Sequence, residues 1–319
     1  MWPAACSLGD MLNRITNNER LMMTHFSSIG QVLEAANAPK TRHPLFHLMS
    51  FDACELERFQ QLPAFTSDLY FVFFKKIVEG QILYGHSRFD HTQGTLSFFK
   101  PRQAIEFQQT KSEDRGFILA FHEDFLLNTP LFDPIKRFGF FDYDVRESLL
   151  ISDAEKAVVW QHFYLMEAEY LANEDEFSRE LIVAQLQSLF FHAKRFYKRQ
   201  FLHRQPLNSS LFARFQQALT ANYADLSVEY RLPNVAAIAD KLALSPKYLS
   251  DLLKAETGKT AQEHIHLFIV NEAKNLLKRP ELNVSEVAYR LGFEYNSHFT
   301  KFFKSKTGMS PSAFVAAEN

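Results

Sequence analysis

The most constraining feature of this 319-residue chain is an internal repeat near its C-terminus. The stretch 235–261 resembles the stretch 284–311. Val235 matches Val284, Ile238 matches Val287, Ala239 matches Ala288 and Leu242 matches Leu291, all 49 positions apart. Past the next turn the offset becomes 50: Leu249 matches Phe299, Lys254 matches Lys304, and Thr257-Gly258 matches Thr307-Gly308. The second copy thus holds one extra residue in its turn. Apolar residues recur at helical spacing in both copies, so each is a small helical unit with one face to bury.

Each copy has the pattern of a helix-turn-helix. A short first helix carries a small residue, Ala239 or Ala288, where two helices must approach closely. A sharp turn follows, with Leu244-Ser245 in the first copy and Gly292-Phe293 in the second. Gly292 can take the positive φ that such a turn needs. Ser245 is a good N-cap, and Pro246 suits the first helical position, where a missing N–H costs nothing. The second helices are expected near 246–257 and 295–306. Leu249, Leu252 and Leu253 form the buried face of the first; Phe299, Phe302 and Phe303 form that of the second. The polar faces carry Lys247, Ser250, Asp251 and Lys254, and Asn296, Ser297, Thr300, Lys301 and Lys304. A helix-turn-helix places its second helix in the major groove of duplex DNA. Between the copies, 261–278 reads as a linker helix of roughly 25 Å at 1.5 Å per residue. With the widths of its neighbours, that length can hold two reading helices about one DNA turn, roughly 34 Å, apart.

At these residues the chain resembles the AraC/XylS family of bacterial transcription regulators. The resemblance is carried by Ala288, Leu291-Gly292-Phe293, Ser297-His298-Phe299, Lys301, Phe303-Lys304, Gly308 and Pro311 in the second copy. In the first copy it rests on Ala239, Leu242, Ser245, Tyr248-Leu249 and Gly258. It implies base contacts by Lys247, Ser250 and Asp251 from the first reading helix and by Asn296, Ser297 and Lys301 from the second. Ser245, Lys254, Thr300 and Lys304 are candidates for phosphates, which position a protein without specifying sequence. Two positions depart from the family pattern. Lys301 replaces the commoner Arg, which weakens the case for a bidentate guanine contact. Asp251 stands where a basic residue is common. A carboxylate can accept from cytosine N4, weaken binding by repelling phosphate, or pair with a lysine of its own helix. The resemblance also implies an N-terminal β-barrel of cupin type followed by dimerising helices; 94–107 looks like the strand-Pro-strand segment of such barrels.

The rest of the chain is read from its own pattern. Thirty-three phenylalanines supply a large aromatic core. A short helix is expected at 29–38. Runs at 45–51, 69–77, 81–89, 95–100, 103–108 and 116–122 read as strands of an antiparallel barrel or sandwich. The run 71–74 is too apolar for a half-exposed strand and belongs mid-sheet. Residues 123–205 read as helical, with a capping box at Ser152 and Glu155 and a second helix from near Glu176. Such helices either cover the sheet or pair with a second subunit. Residues 202–207 lack periodicity and read as a linker. The expected fold class is α+β: a cupin-like barrel sensor domain at 1–122, a helical dimerisation segment and linker at 123–205, and an all-α DNA-binding domain with two helix-turn-helix units at 206–319.

Composition excludes several classes. The net charge is −2, against polyanion binding of the histone type. Residues 1–210 carry a net −4 and residues 211–319 a net +2, the sign expected of a nucleic-acid-binding C-terminus. No apolar run is long enough for a membrane span, and no secretory signal is evident, so a cytoplasmic protein is expected. Cys6 and Cys54 make neither a disulfide framework nor a four-ligand zinc site. His43, His47, His86 and His91 lack the His-x-His and following Glu of a metal-binding cupin, and His264-x-His266 lies on the linker helix. No phosphate loop or nucleophile elbow occurs. The expectation is no enzyme, no catalytic residue, no metal and no cofactor. The alternatives are a cupin-type metal enzyme with a DNA-binding tail, or a dimeric regulator without a ligand. If 83–89 is one strand, Tyr84, His86 and Arg88 share a face. Turned inward, that face could hold an anionic or hydroxylated small molecule; turned outward, it is ordinary surface. The expected partners are double-stranded DNA, a small-molecule effector, a second copy of the chain and RNA polymerase.

Overall fold

The computed structural model describes residues 23–51, 58–59, 61–75, 77–79, 83–84, 87–88, 94–105, 111–112, 116–144, 147–203, 205–224 and 232–318. The chain divides into two units, Met1–Phe196 and Tyr197–Asn319. The first is mixed sheet and helix; the second is helical.

In the first unit the strands are β1 (Thr24–Phe26), β2 (Phe46–Phe51), β3 (Phe65–Ser67), β4 (Leu69–Lys75), β5 (Ile77–Glu79), β6 (Leu83–Tyr84), β7 (Ser87–Arg88), β8 (Thr95–Phe99), β9 (Lys111–Ser112), β10 (Gly116–His122) and β11 (Leu149–Leu150). Five of them form a sheet in the order β11-β8-β4-β10-β2, every pair antiparallel. The Phe-rich β4 is the middle strand, as its apolar run predicts. Period-two alternation sends its residues to two covered faces. Leu69, Phe71 and Phe73, with Phe99, Ile118 and Ala120, pack on Ile29, Val32 and Leu33 of α1 (Ile29–Ala35). On the opposite face Phe74 meets Trp160 at 5.4 Å and Phe117 stacks on Phe163 at 4.6 Å. Both partners belong to α2 (Asp153–Leu171). Phe121 and Phe98 reach Phe190 of α3 (Ser178–His203). The helices therefore cover the sheet, the first of their two expected uses.

Local chemistry starts and stops these helices where the sequence says. Ser152 and Glu155 form the expected capping box at the start of α2. Ser28 caps α1, and Asn37, at φ 50°, turns the chain out of it before Pro39.

Four expectations change. The strands pair, among the described residues, as the five-stranded sheet and three two-stranded ribbons; barrel closure is not part of those pairings. Within the run 81–89, β6 and β7 pair antiparallel in place of one strand, with Leu83 opposite Arg88 and Tyr84 opposite Ser87. His86, and with it the face expected to be shared by Tyr84, His86 and Arg88, lies outside the described residues. Beyond those two pairs the segment lies outside the described residues, as do 106–110. Residues 123–150 hold short 3-10 turns and β11 in place of a long helix, because Pro130, Pro134 and Gly139 interrupt it. The expected linker is also largely helical: α3 runs to His203 and α4 (Gln205–Ala224) starts at once, with Pro206 tolerated in its first turn.

Candidate nucleic-acid interface

The C-terminal unit contains α5 (Val235–Lys241), α6 (Pro246–Thr257), α7 (Ala261–Leu277), α8 (Val284–Arg290), α9 (Asn296–Thr307) and α10 (Pro311–Glu318). The repeat extends through its hydrogen bonds. Asn234 caps α5 and Asn283 caps α8. In the first turn the N–H groups of Ala243 and Leu244 donate to Asp240 O at 2.9 Å and Ala239 O at 3.0 Å. In the second, Gly292 and Phe293 donate to Tyr289 O and Ala288 O at the same two distances. The residue at the corner has positive φ in both: 88° at Gly292, as expected, and 56° at Ala243. Alanine pays a steric penalty there that glycine does not.

After the corner the copies differ. Ser245 accepts the Tyr248 N–H and Pro246 opens α6. In the second copy Glu294 is the extra residue, and Tyr295 occupies the cap position without a side-chain hydrogen bond. The register is then restored. Gly258 and Gly308 end α6 and α9 at φ 77° and 84°. Thr257 Oγ1 donates to Leu253 O, and Thr307 Oγ1 to Phe303 O, each at 2.8 Å. Thr260 then caps α7, and Ser310 accepts the Ala313 N–H at the start of α10. The repeat is therefore a pair of three-helix units, with α7 serving as both the end of the first and the link to the second.

The buried faces fall as the spacing predicts. Tyr248, Leu249, Leu252 and Leu253 are buried in α6, as are Phe299 and Phe303 in α9; Phe302 is half-buried. Phe201, near the end of α3, meets Tyr248 edge-on at 5.2 Å. His264 and His266 of α7 are absorbed by packing. His264 lies against Phe212 and Phe215 and within 2.7 Å of Thr257 Oγ1. His266 lies against Phe302. Burial, helped by Lys259 and Lys306, lowers the pKa of each. Among the described residues, no group of three or more His, Cys, Asp or Glu is placed to hold a metal ion.

All ten sequence-selected residues reach the surface at least in part. Asn296, Ser297, Lys301, Lys304 and Lys254 are exposed; Ser245, Lys247, Ser250, Asp251 and Thr300 are half-exposed. Several are already engaged. Lys247 Nζ lies 2.8 Å from Asp251 Oδ1, one helical turn away. Ser250 Oγ accepts the Ala261 N–H at 3.3 Å, fastening α6 to the start of α7. Asn296 Nδ2 donates to Ser285 Oγ at 3.0 Å and its Oδ1 accepts from Thr300 at 3.4 Å, which fixes the amide at the front of α9. Sequence reasoning passed over Tyr295, 60 % exposed and edge-on to His298 beside that amide. Its signal was an aromatic residue at a cap position where Ser or Asn is favoured. It also passed over Lys306. The charge is uneven: α6 holds two lysines and two acids, whereas α9 holds three lysines and no acid.

Comparison with known proteins agrees with this geometry. A family described as a helix-turn-helix domain matches residues 238–317. The transcriptional activator RhaS of Escherichia coli O9:H4 (strain HS) is 36 % identical over 78 residues, 24 % of this chain and 28 % of that protein. The chain thus covers little more than a quarter of the curated relatives it matches. Among solved structures, the C-terminal domain of the response regulator yesN from Fusobacterium nucleatum is 27 % identical, over 34 % of this chain and 98 % of that one, with a TM-score of 0.29. The DNA-binding domain of AdpA, a global transcriptional factor solved with a target DNA, is 22 % identical over 32 % of this chain and 90 % of that one, with a TM-score of 0.29. Residues 238–317 are a helix-turn-helix domain.

Proposed function

We propose that the whole chain is a sequence-specific transcription regulator of the AraC type. The observation that carries this reading is the double unit itself: α6 and α9, each of 12 residues, sit in matching hydrogen-bonded frames and carry polar outer faces. In this reading α6 and α9 enter successive major grooves. Ser250, Asn296, Ser297 and Lys301 address bases; Lys247 and Asp251, expected on the same base-facing side, are paired with each other, so Asp251 holds Lys247 back from the DNA; Ser245, Lys254, Thr300 and Lys304 address phosphates. The test is titration of a duplex selected by the protein from random sequence, across a salt series. Affinity should fall linearly in log–log form, and the selected duplex should beat random DNA. Binding indifferent to both salt and sequence overturns the reading.

The N-terminal unit is the regulatory part in this proposal. A cupin-like barrel takes a small-molecule effector, with Tyr84, His86 and Arg88 as contacts. The chain works as a cytoplasmic homodimer, engages RNA polymerase when bound to DNA, and carries no catalytic activity. Support for the dimer comes from α3, where Leu181, Ala184, Ser188 and Phe191 recur at three- and four-residue intervals. Of these, Leu181, Ala184 and Phe191 are exposed and Ser188 is half-exposed. That is the spacing of a helix-pairing seam. No helix among the described residues is long and apolar enough to cross a membrane.

A further inference from the structure

We propose that a cleft in the N-terminal unit binds a small zwitterion: an α-amino acid with an apolar side chain. The cleft, of about 290 Å³, lies where the segment before β2, the 3-10 turn after β10, the end of α2 and the start of α3 meet. All its lining residues belong to Met1–Phe196, so its occupancy is measurable without DNA.

Its walls are aromatic and fixed. Phe46 and Phe125 stack at 4.9 Å, and Tyr170 stands edge-on to Phe46 at 5.6 Å. The Tyr170 hydroxyl is held from three sides: it accepts the Arg42 N–H at 2.9 Å and lies 3.1 Å from His47 Nδ1 and 3.2 Å from Thr41 Oγ1. A surface fixed in this way loses little freedom when a ligand arrives.

The rim supplies charge of both signs. Arg42 Nη1 donates to Leu171 O at 3.0 Å. Arg179 donates from Nε to Phe125 O at 2.9 Å and from Nη2 to Leu127 O. Both guanidinium groups are therefore oriented by neutral backbone carbonyls, and among the described residues neither forms an ion pair. Each guanidinium has five N–H donors, so donors are left over for a carboxylate. Glu169 and Glu174 also line the cleft. Glu174 Oε1 lies 4.0 Å from His43 Nε2. The Leu45 N–H donates to His43 Nδ1, which puts the imidazole proton on Nε2, toward that carboxylate. Two cations and two anions around one aromatic floor are matched by a ligand of no net charge that carries both signs. The rim groups are exposed or half-exposed, and a purely anionic or cationic ligand would meet one pair of them with like charge.

The probe is L-phenylalanine, titrated calorimetrically into the full chain beside 3-phenylpropanoate, which lacks the ammonium group, and 2-phenylethylamine, which lacks the carboxylate. Saturable L-phenylalanine binding is expected, with both truncated compounds at least about tenfold weaker. Arg42→Ala and Glu169→Gln should each weaken L-phenylalanine by about tenfold or more while leaving the circular dichroism spectrum unchanged. Should Arg42→Ala fail to fold, Arg42→Lys keeps the charge, loses the fork and is expected to weaken binding as well. Absence of heat with both L-phenylalanine and L-leucine overturns the proposal. So does 3-phenylpropanoate or 2-phenylethylamine binding as tightly as L-phenylalanine, and so do variants that bind like the parent.

Discussion

Replacing Asp251 with Asn separates the roles open to that residue. In the structure its carboxylate lies 2.8 Å from Lys247 Nζ, with a quarter of the Asp251 side chain and less than half of the Lys247 side chain exposed. A half-exposed pair at this helical spacing contributes about 0.3–0.5 kcal/mol to folding, so Asp251→Asn should leave the fold intact. Its effect on DNA binding should be larger. The substitution removes a negative charge from the α6 face and releases Lys247 for a phosphate. Each additional neutralised phosphate steepens the log K against log salt slope by about 0.9. Relative to a 1 M reference, that is worth about eightfold in affinity near 0.1 M salt. The assay is fluorescence anisotropy on a selected duplex at four or more salt concentrations. Asp251→Asn should bind tighter, with the steeper slope. Lys304→Ala, which removes an exposed charge without a matching acid on its helix, should lose about 0.9 of the slope. If Asp251→Asn binds more weakly and loses discrimination at one base pair with the slope unchanged, the carboxylate is reading cytosine, and the argument that it masks Lys247 is wrong.

Three further outcomes follow from the geometry. Ala243→Gly, at φ 56°, should raise the stability of the C-terminal unit by up to about 1 kcal/mol, and Gly292→Ala, at φ 88°, should lower it by a similar amount; chemical denaturation of the full chain reads both, and an opposite sign for either refutes the strain argument. Burial pushes His47 down from 6.5 to about 4. The unfolded chain therefore binds the proton first, so this contribution is complete above pH 6.5 and is lost as pH falls toward 4, in total about 3 kcal/mol. His47→Gln should flatten the stability curve across that window, and an unchanged curve would show that His47 is not its source. Phe191→Glu places a charge on an exposed apolar position of α3 and should shift the chain from dimer to monomer in light scattering after gel filtration, whereas an unchanged mass removes α3 as the seam.

What could be read from sequence depended on whether the deciding interaction was local. The capping box at Ser152 and Glu155, the cap and proline at Ser245-Pro246, and the corner at Gly292 are each fixed within a few residues, and each is found where expected. The central position of β4 followed from its apolar run, because only a strand covered on both faces tolerates one. The antiparallel pairing of β6 with β7 is not legible in the sequence, because alternation alone cannot distinguish one unbroken strand from two paired ones. The strands β1 and β3, of three residues each, were too short to leave a pattern. At the candidate interface, the Lys247–Asp251 pair was legible as an i,i+4 spacing. The anchoring of Ser250 by the Ala261 N–H was not, because it joins residues 11 apart across a turn. Nor was the cleft, whose two arginines lie more than 130 positions apart and are brought together only by the packing of α2 and α3 on the sheet.

The two halves of the repeat share a frame and differ in surface, and the difference has a direction. Asparagine caps, corner bonds, closing glycines and threonine bonds coincide between copies, so the backbone is held to one geometry by the same short-range chemistry twice. The outer faces answer to different physics. Attraction to phosphate is long-ranged and indifferent to base identity; hydrogen bonding to a base edge is short-ranged and selective. On the proposed DNA-binding reading, α9, with three lysines and no acid, supplies holding force. In α6 the acids Asp251 and Glu256 offset Lys247 and Lys254, so it has little long-range attraction of its own and contributes chiefly through the fit of its side chains to a particular groove. Exchanging the outer residues of the two helices within their common frame should therefore move the salt dependence with the lysines, leaving the fold unchanged.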